Sequence, residues 1–130
     1  MPITQLGLKD VPEAFQKVTV VVAVESPAVG AYTALLSVPF DFEVDSITYA
    51  LGNGAPASID VDFAVEINGV DVSFTGPVTS FTVDSSTGVA ISAVSANTGS
   101  GGAKIEVDVT AITGAPAGLI VQITLKRTAA

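Results

Sequence analysis

The carboxylates have the most obvious chemical potential in this 130-residue chain, because the sequence contains no histidine and no cysteine. Many of them alternate with apolar residues, and alternate positions of a strand project from one face. One series comprises Asp41, Glu43 and Asp45, and a second comprises Asp60, Asp62 and Glu66, with Asp71 close behind. Carboxylate oxygens that share a face can bind Ca²⁺ or the Lys and Arg side chains of a partner.

The second series supplies the candidate calcium ligands Asp60, Asp62, Glu66 and Asp71. Their spacing is not that of an EF-hand loop, in which a fixed pattern brings several oxygens to one point. A solvated carboxylate row on the outside of a sheet explains the same alternation without any ligand. We therefore predict no metal and no other cofactor, and keep calcium and a basic partner protein as alternatives.

The same composition excludes most catalytic chemistry. Without His and Cys there is no Ser-His-Asp triad, no Cys-His nucleophile and no zinc site of the usual kinds. No GxGxxG or P-loop pattern supports nucleotide binding. A carboxylate pair hydrolyses glycosides only in a cleft that raises one pKa, whereas nearly all acidic residues here occupy strand positions that we expect to be exposed. We predict no enzymatic activity and no catalytic residue.

Charge and hydrophobicity narrow the range of partners. Five Lys and Arg residues against 13 Asp and Glu give a net charge of −8. This balance argues against binding nucleic acid or an anionic membrane surface, both of which need a basic face. Hydrophobic residues make up 48% of the chain and charged residues only 14%, against about 25% charged in ordinary domains. We expect part of the apolar surface to contact other subunits.

The clearest local prediction is a β-hairpin over Ile59–Thr75. Apolar and polar residues alternate on both sides of Asn68-Gly69, the dipeptide typical of a two-residue type I′ turn. Such a turn fixes the register of the two strands. The predicted facing pairs are Ile67 with Val70, Val65 with Val72, and Phe63 with Phe74, which also places Glu66 opposite Asp71.

The rest of the chain reads as short strands between Gly and Pro turns, with almost no helix. The other predicted strands are Phe15–Glu25, Gly30–Val38, Phe40–Leu51, Val78–Asp84, Val89–Val94, Lys104–Ile112 and Leu119–Leu125. The inward phase changes by one residue near Asp45-Ser46, which indicates a bulge or a corner. About nine strands in this pattern predict an all-β fold, an antiparallel β-sandwich of jelly-roll or Greek-key type. Residues 15–130 would form this single domain.

Residues 1–14 read as an extended N-terminal arm, because Pro and Gly interrupt any periodicity. The arm carries no basic and apolar segments of a signal peptide, so we expect synthesis in a host cytoplasm. Its apolar side chains, with the outer face of the first strand, supply the candidate interface residues. These are Ile3, Leu6, Leu8, Val11, Val21 and Ala23.

A string of short motifs resembles the small jelly-roll modules of tailed-phage virion proteins, in capsid decoration (cement) proteins and tail-fibre tips. The motifs are Phe40-Asp41-Phe42 followed by Ile47–Gly52, the acidic strand Asp60–Gly69, Thr82–Ser86, Ile105–Val109 and Ala117–Ile123. The resemblance covers roughly residues 38–126 and departs from the pattern at Gly101–Lys104, where Gly-Asp is expected. It implies a non-enzymatic structural or binding role, often in trimers.

We therefore expect a virion protein, a decoration subunit that forms a homotrimer and contacts the major capsid protein or another virion protein. Burial of the arm and of an apolar sheet face would supply the binding energy. The alternative is a receptor- or glycan-binding module of a tail fibre, with loops Gly52–Pro56 and Ser95–Ala103 as its recognition surface. Tyr32 or Tyr49 could then serve as a stacking platform, although packing is their simpler role. A bacterial or archaeal surface-assembly subunit would have the same composition.

Overall fold

The computed structural model describes residues 16–52 and 59–128. They form eleven β-strands and no helix, so these residues include no helix that could cross a membrane. In chain order the strands are β1 Lys17–Val24, β2 Gly30–Leu35, β3 Phe42–Leu51, β4 Asp60–Ile67, β5 Val70–Asp71, β6 Ser73–Phe74, β7 Phe81–Val83, β8 Val89–Ser95, β9 Thr98–Gly99, β10 Ile105–Thr113 and β11 Leu119–Arg127. The predicted arm 1–14 lies outside the described residues.

Two antiparallel sheets pack face to face. Sheet A has the order β1-β11-β3-β8-β6 with β9 beside β3, and sheet B has the order β2-β10-β4-β5 with β7 beside β4. The first and last strands are neighbours, and the chain passes repeatedly from one sheet to the other, which is the jelly-roll pattern. The predicted β-sandwich is confirmed, with eleven strands instead of about nine, because the predicted strand after the hairpin turn divides into β5 and β6 and the 95–103 loop contains β9.

The core lies between the sheets and is built from alternate residues of the long strands. The fully or nearly fully buried side chains of β10 and β11 are Ile105, Val107, Val109, Leu119, Val121, Ile123 and Leu125. Burying an aliphatic side chain of this size stabilises the fold by about 1.5–3 kcal/mol relative to leaving it exposed. Apolar and polar residues alternate along most of both strands, and the apolar phase is the buried one.

The phase change predicted in β3 is a β-bulge. Val44 and Ser46 both have partners in β11, whereas Asp45 between them has none and is the extra residue. A bulge lets the inward phase move by one residue without leaving the sheet. The buried side chains on its two sides are Phe42, Val44, Ile47 and Leu51.

The predicted turn of the central hairpin is present. Asn68 and Gly69 have φ values of 50° and 82°, as a type I′ turn requires. Ile67 faces Val70 and Glu66 faces Asp71, as predicted. The Val72 N–H also donates to the Val65 carbonyl at 2.8 Å, so the hairpin register holds over these residues.

Beyond Val72 the predicted hairpin is wrong. Phe63 faces Phe81 of β7, while Phe74 lies opposite Ala93 of β8 in sheet A. The chain crosses between the sheets here, and both residues of β6 are buried. Val70, the partner of Ile67, is 60% exposed, whereas Val72 two residues later is fully buried, so this part of the hairpin reaches the core only from Val72 onward.

Candidate interaction surface

The outer face of sheet A is made of side chains in register across its strands. Four rows run across the face: Ala23, Ile120 and Ala50; Val21, Gln122, Thr48 and Ala90; Thr19, Thr124, Ser46 and Ser92; and Lys17, Lys126, Glu43 and Thr98. The first three rows contain no charged residue. We call these three rows the neutral face.

The neutral face exposes apolar side chains next to small polar ones. Val21 is 53% and Ile120 is 41% exposed, and the hydroxyl groups of Thr19 and Thr124 hydrogen-bond at 3.2 Å. Uncharged surface of this kind costs less to desolvate than charged surface, since it holds no ion and its hydroxyl groups can pair with one another. The face is therefore suited to close contact with another protein.

The fourth row, at one end of sheet A, carries both signs of charge. Lys17 lies opposite Lys126 in β11, and Lys126 lies opposite Glu43 in β3. The bulge residue Asp45 joins this row, since its carboxylate lies 3.4 Å from the Lys17 ammonium. We call these four residues the charged row.

The outer face of sheet B is acidic instead. Its carboxylates come from three neighbouring strands and are Asp60, Asp62, Glu66, Asp71, Glu106 and Asp108. Lys104 forms an ion pair with Glu106 at 2.9 Å, and the Thr82 hydroxyl donates to the Asp62 carboxylate at 2.6 Å. We call these six carboxylates the acidic face.

Glu66 lies at the centre of the acidic face. Its neighbours across the strands are Glu106 on one side and Asp71 on the other. Partial burial, followed by the negative charges of Asp108, Asp71 and Glu106, raises the pKa of Glu66 above its ordinary value. Both causes disfavour the ionised carboxylate, so this face is under electrostatic repulsion at neutral pH.

The candidate calcium ligands do not converge. Asp60, Asp62 and Glu66 lie in a line along β4, where residues two apart are separated by about 6.6 Å. Glu66 and Asp71 are the pair that faces across strands. Within 16–52 and 59–128, no three acidic side chains come together in a way that could hold a metal ion. The calcium alternative gains no support from this geometry.

The loop predicted as a recognition surface borders an open groove of about 580 Å³. One wall is loop 96–103 and the other is the hairpin turn with the exposed Val70. The loop is braced by hydrogen bonds: Asn97 pairs with the backbone of Val44 through both its carbonyl and its side-chain amide, at 2.7 and 2.9 Å. The other recognition loop, 52–56, falls outside the described residues after Gly52.

The two tyrosines have packing contacts. The Tyr49 ring lies 5.3 Å from the ring of Phe63 and 5.4 Å from that of Phe81, and burial followed by the charge of Asp84 raises its pKa. The Tyr32 hydroxyl accepts the Ala28 N–H at 2.9 Å. These contacts favour a structural role for both residues over a stacking platform.

Of the predicted interface residues, Val21 and Ala23 lie on the neutral face, whereas Ile3, Leu6, Leu8 and Val11 lie outside the described residues. Sequence reasoning chose the outer face of the first strand but did not group Ile120, Gln122 and Thr124 with it. The available signal was the lack of charge at outward positions in several strands.

Compared with known proteins, the chain matches no family model, and no curated protein matches it significantly.

Proposed function

We propose that this chain is a structural subunit of a virion, a decoration (cement) protein that stabilises a phage head by binding its neighbours. The observation that supports it best is the contrast between the neutral face and the acidic face in a chain of net charge −8. Six carboxylates keep one side of the sandwich in water, while the opposite side offers an uncharged surface with exposed Val21 and Ile120. This difference between the two faces suits a subunit that contacts other proteins on one side and water on the other.

Such a role requires only that apolar surface be buried against neighbouring proteins. Apolar area removed from water contributes about 25 cal/mol per Å² before the costs of ordering are subtracted. The neutral face and the arm 1–14 would supply that area, against other copies in a homotrimer and against the major capsid protein or another virion protein. No catalytic step and no cofactor is needed.

The test is binding to capsids of the encoding phage that lack this protein, measured by co-sedimentation together with the mass of the free protein in solution. Deleting residues 1–14, or replacing Val21→Asp, should abolish capsid binding while the fold persists. Wild-type protein that does not bind such capsids would overturn the proposal.

The second candidate is a receptor- or glycan-binding module of a tail fibre, favoured by the braced groove beside Val70. Val70 is 60% and Val21 is 53% exposed, so Val70→Asp and Val21→Asp are matched variants on two different surfaces. Loss of capsid binding in the Val21 variant alone supports the decoration role. Loss of binding to host cells or to cell-surface glycans in the Val70 variant alone would instead support the fibre role.

A further inference from the structure

Sheet A carries complementary features on the two halves of its outer surface. The β1–β11 half holds the larger side chains of the neutral face, among them Val21 and Ile120, and the β3–β8 half holds smaller ones such as Ala50 and Ala90. The charged row divides in the same way. Lys17 and Lys126 lie on the β1–β11 half, and Glu43 and Asp45 lie on the β3 side.

A surface whose two halves are complementary can bind a second copy of itself about a twofold axis. An axis that runs parallel to the strands, between β11 and β3, places each half of one copy against the other half of its partner. Ile120 then meets the partner's Ala50, Val21 meets the partner's Ala90, and Lys126 meets the partner's Glu43. An axis across the strands would bring the charged row against uncharged residues instead.

We propose that sheet A pairs with sheet A of a second copy about this axis. The inference rests on the proposed assembly role and names a second copy as the occupant of the neutral face in the free protein, where no capsid competes for this surface. The acidic faces of both copies then point away from each other, which keeps their like charges far apart. A homotrimer whose threefold contact uses other surfaces could still form, and the same pairing would then join two trimers.

The size of the surface sets the expected strength. Four strands about 4.8 Å apart and six residues of about 3.3 Å rise give a contact of roughly 20 by 20 Å on each copy. That is smaller than the roughly 800 Å² per partner of a standard interface. The pairing should therefore be concentration-dependent, and measurable by sedimentation equilibrium.

The decisive experiment mixes two charge variants. Lys126→Glu alone sets two carboxylates against each other across the axis, and Glu43→Lys alone sets two ammonium groups against each other. Each variant should therefore pair about tenfold more weakly than wild type, or weaker still.

In an equal mixture of the two variants, opposite charges meet again. The carboxylate introduced at position 126 of one chain faces the ammonium introduced at position 43 of the other, and the unchanged Glu43 of the first chain faces the unchanged Lys126 of the second. The mixture should recover pairing to within a few-fold of wild type.

A size exchange tests the same axis without charge. Ala50→Ile alone should weaken pairing because it meets Ile120 of the partner, and the added change Ile120→Ala should restore it. Both positions face outward in the monomer, so thermal unfolding should move little. A mixture of charge variants that stays monomeric, or wild-type protein that is monomeric at every concentration, would overturn the pairing. Capsid binding by such a monomer would still support the decoration role.

Discussion

The two outer faces of the sandwich are built by the same alternation, and yet they differ completely in charge. Each face consists of the residues between inward-pointing core positions on neighbouring strands. On sheet B these residues include Asp60, Asp62, Glu66, Asp71, Glu106 and Asp108, and on the first three rows of sheet A they are Thr, Ser, Ala, Val, Ile and Gln. Packing of the core constrains only the inward-pointing residues. The outward-pointing residues can therefore favour solubility on one face and protein contact on the other.

The acidic face depends on a tight turn, whereas the three rows of the neutral face lie within strands. Gly69→Val should disrupt the hairpin that places Asp71 beside Glu66, because a β-branched residue is strained at the φ of 82° found there. We expect a loss of about 2 kcal/mol in the free energy of unfolding, measured with urea. A Cβ at this position meets no atom within 4 Å, so the loss comes from the backbone.

Gly69→Asn is the control for this change, because Asn tolerates positive φ and adds no branched Cβ. It should cost much less than Val. If the Val variant unfolds at the same urea concentration as wild type, the hairpin does not need this turn.

Matched substitutions of two threonines test whether the two outer faces differ in self-association. Thr19 in β1 and Thr33 in β2 are both exposed, each in an edge strand of its sheet. Thr19→Asp should weaken self-association about tenfold by adding a charge to the neutral face. Thr33→Asp, placed opposite Glu106, should leave association unchanged. Equal effects of the two variants in sedimentation equilibrium would remove the distinction between the faces.

Glu66→Gln should relieve the repulsion on the acidic face. We expect the variant to be more stable than wild type at pH 7 by about 0.5 kcal/mol, because like charges directly opposite each other in a sheet destabilise it. The raised pKa of Glu66 means that the folded protein holds its proton more tightly than the unfolded chain. The contribution of Glu66 to the stability of the wild-type protein is therefore fully present at low pH, and it is lost as the pH rises through the pKa of Glu66 in the folded protein.

The advantage of the Gln variant should accordingly shrink as the solution is acidified from pH 7 towards the ordinary pKa of a glutamate, in urea titrations of both proteins. An advantage that grows on acidification would contradict the assigned cause.

Asp71→Asn is the smallest change and removes one member of the Glu66 pair. Stability should stay the same or rise by a few tenths of a kcal/mol. If calcium stabilises the wild-type protein and the Asn variant is clearly less stable because it lacks this effect, the Asp71 carboxylate binds the ion.

Local patterns were sufficient to predict the parts of the fold that depend on neighbours in sequence. The inward faces of β10 and β11, the Asn68-Gly69 turn and the bulge at Asp45 all follow from alternation and turn chemistry. The crossing at β6 could not be predicted this way, because Ser73 and Phe74 alternate identically whether they pair in sheet B or in sheet A. Strand β9 is a Thr-Gly pair that carries no strand signal.

The candidate surface was less accessible to sequence reasoning for a related reason. Ile120 lies beside Ala23 and Ala50 only because β11 is inserted between β1 and β3. These contacts join residues far apart in the chain, and no local pattern encodes the order of strands. The acidic series could be recognised because its residues alternate along one segment of the chain. The same local pattern suggested calcium ligands, but it cannot show that Asp60, Asp62 and Glu66 lie in a line and do not converge.

The bulge gives β3 one residue that its pairing with β11 does not need. Deleting Asp45 would join Val44 directly to Ser46, and these two residues already face consecutive residues of β11, so Phe42 and Val44 would stay turned towards the core. A deletion between Ile47 and Leu51 has no such spare residue, and it would turn part of the strand over and bring core side chains to the outer face. Homologues that diverge widely in side chains should therefore vary in length by one residue between Val44 and Ile47, while other insertions and deletions should accumulate at turns such as the one around Gly114.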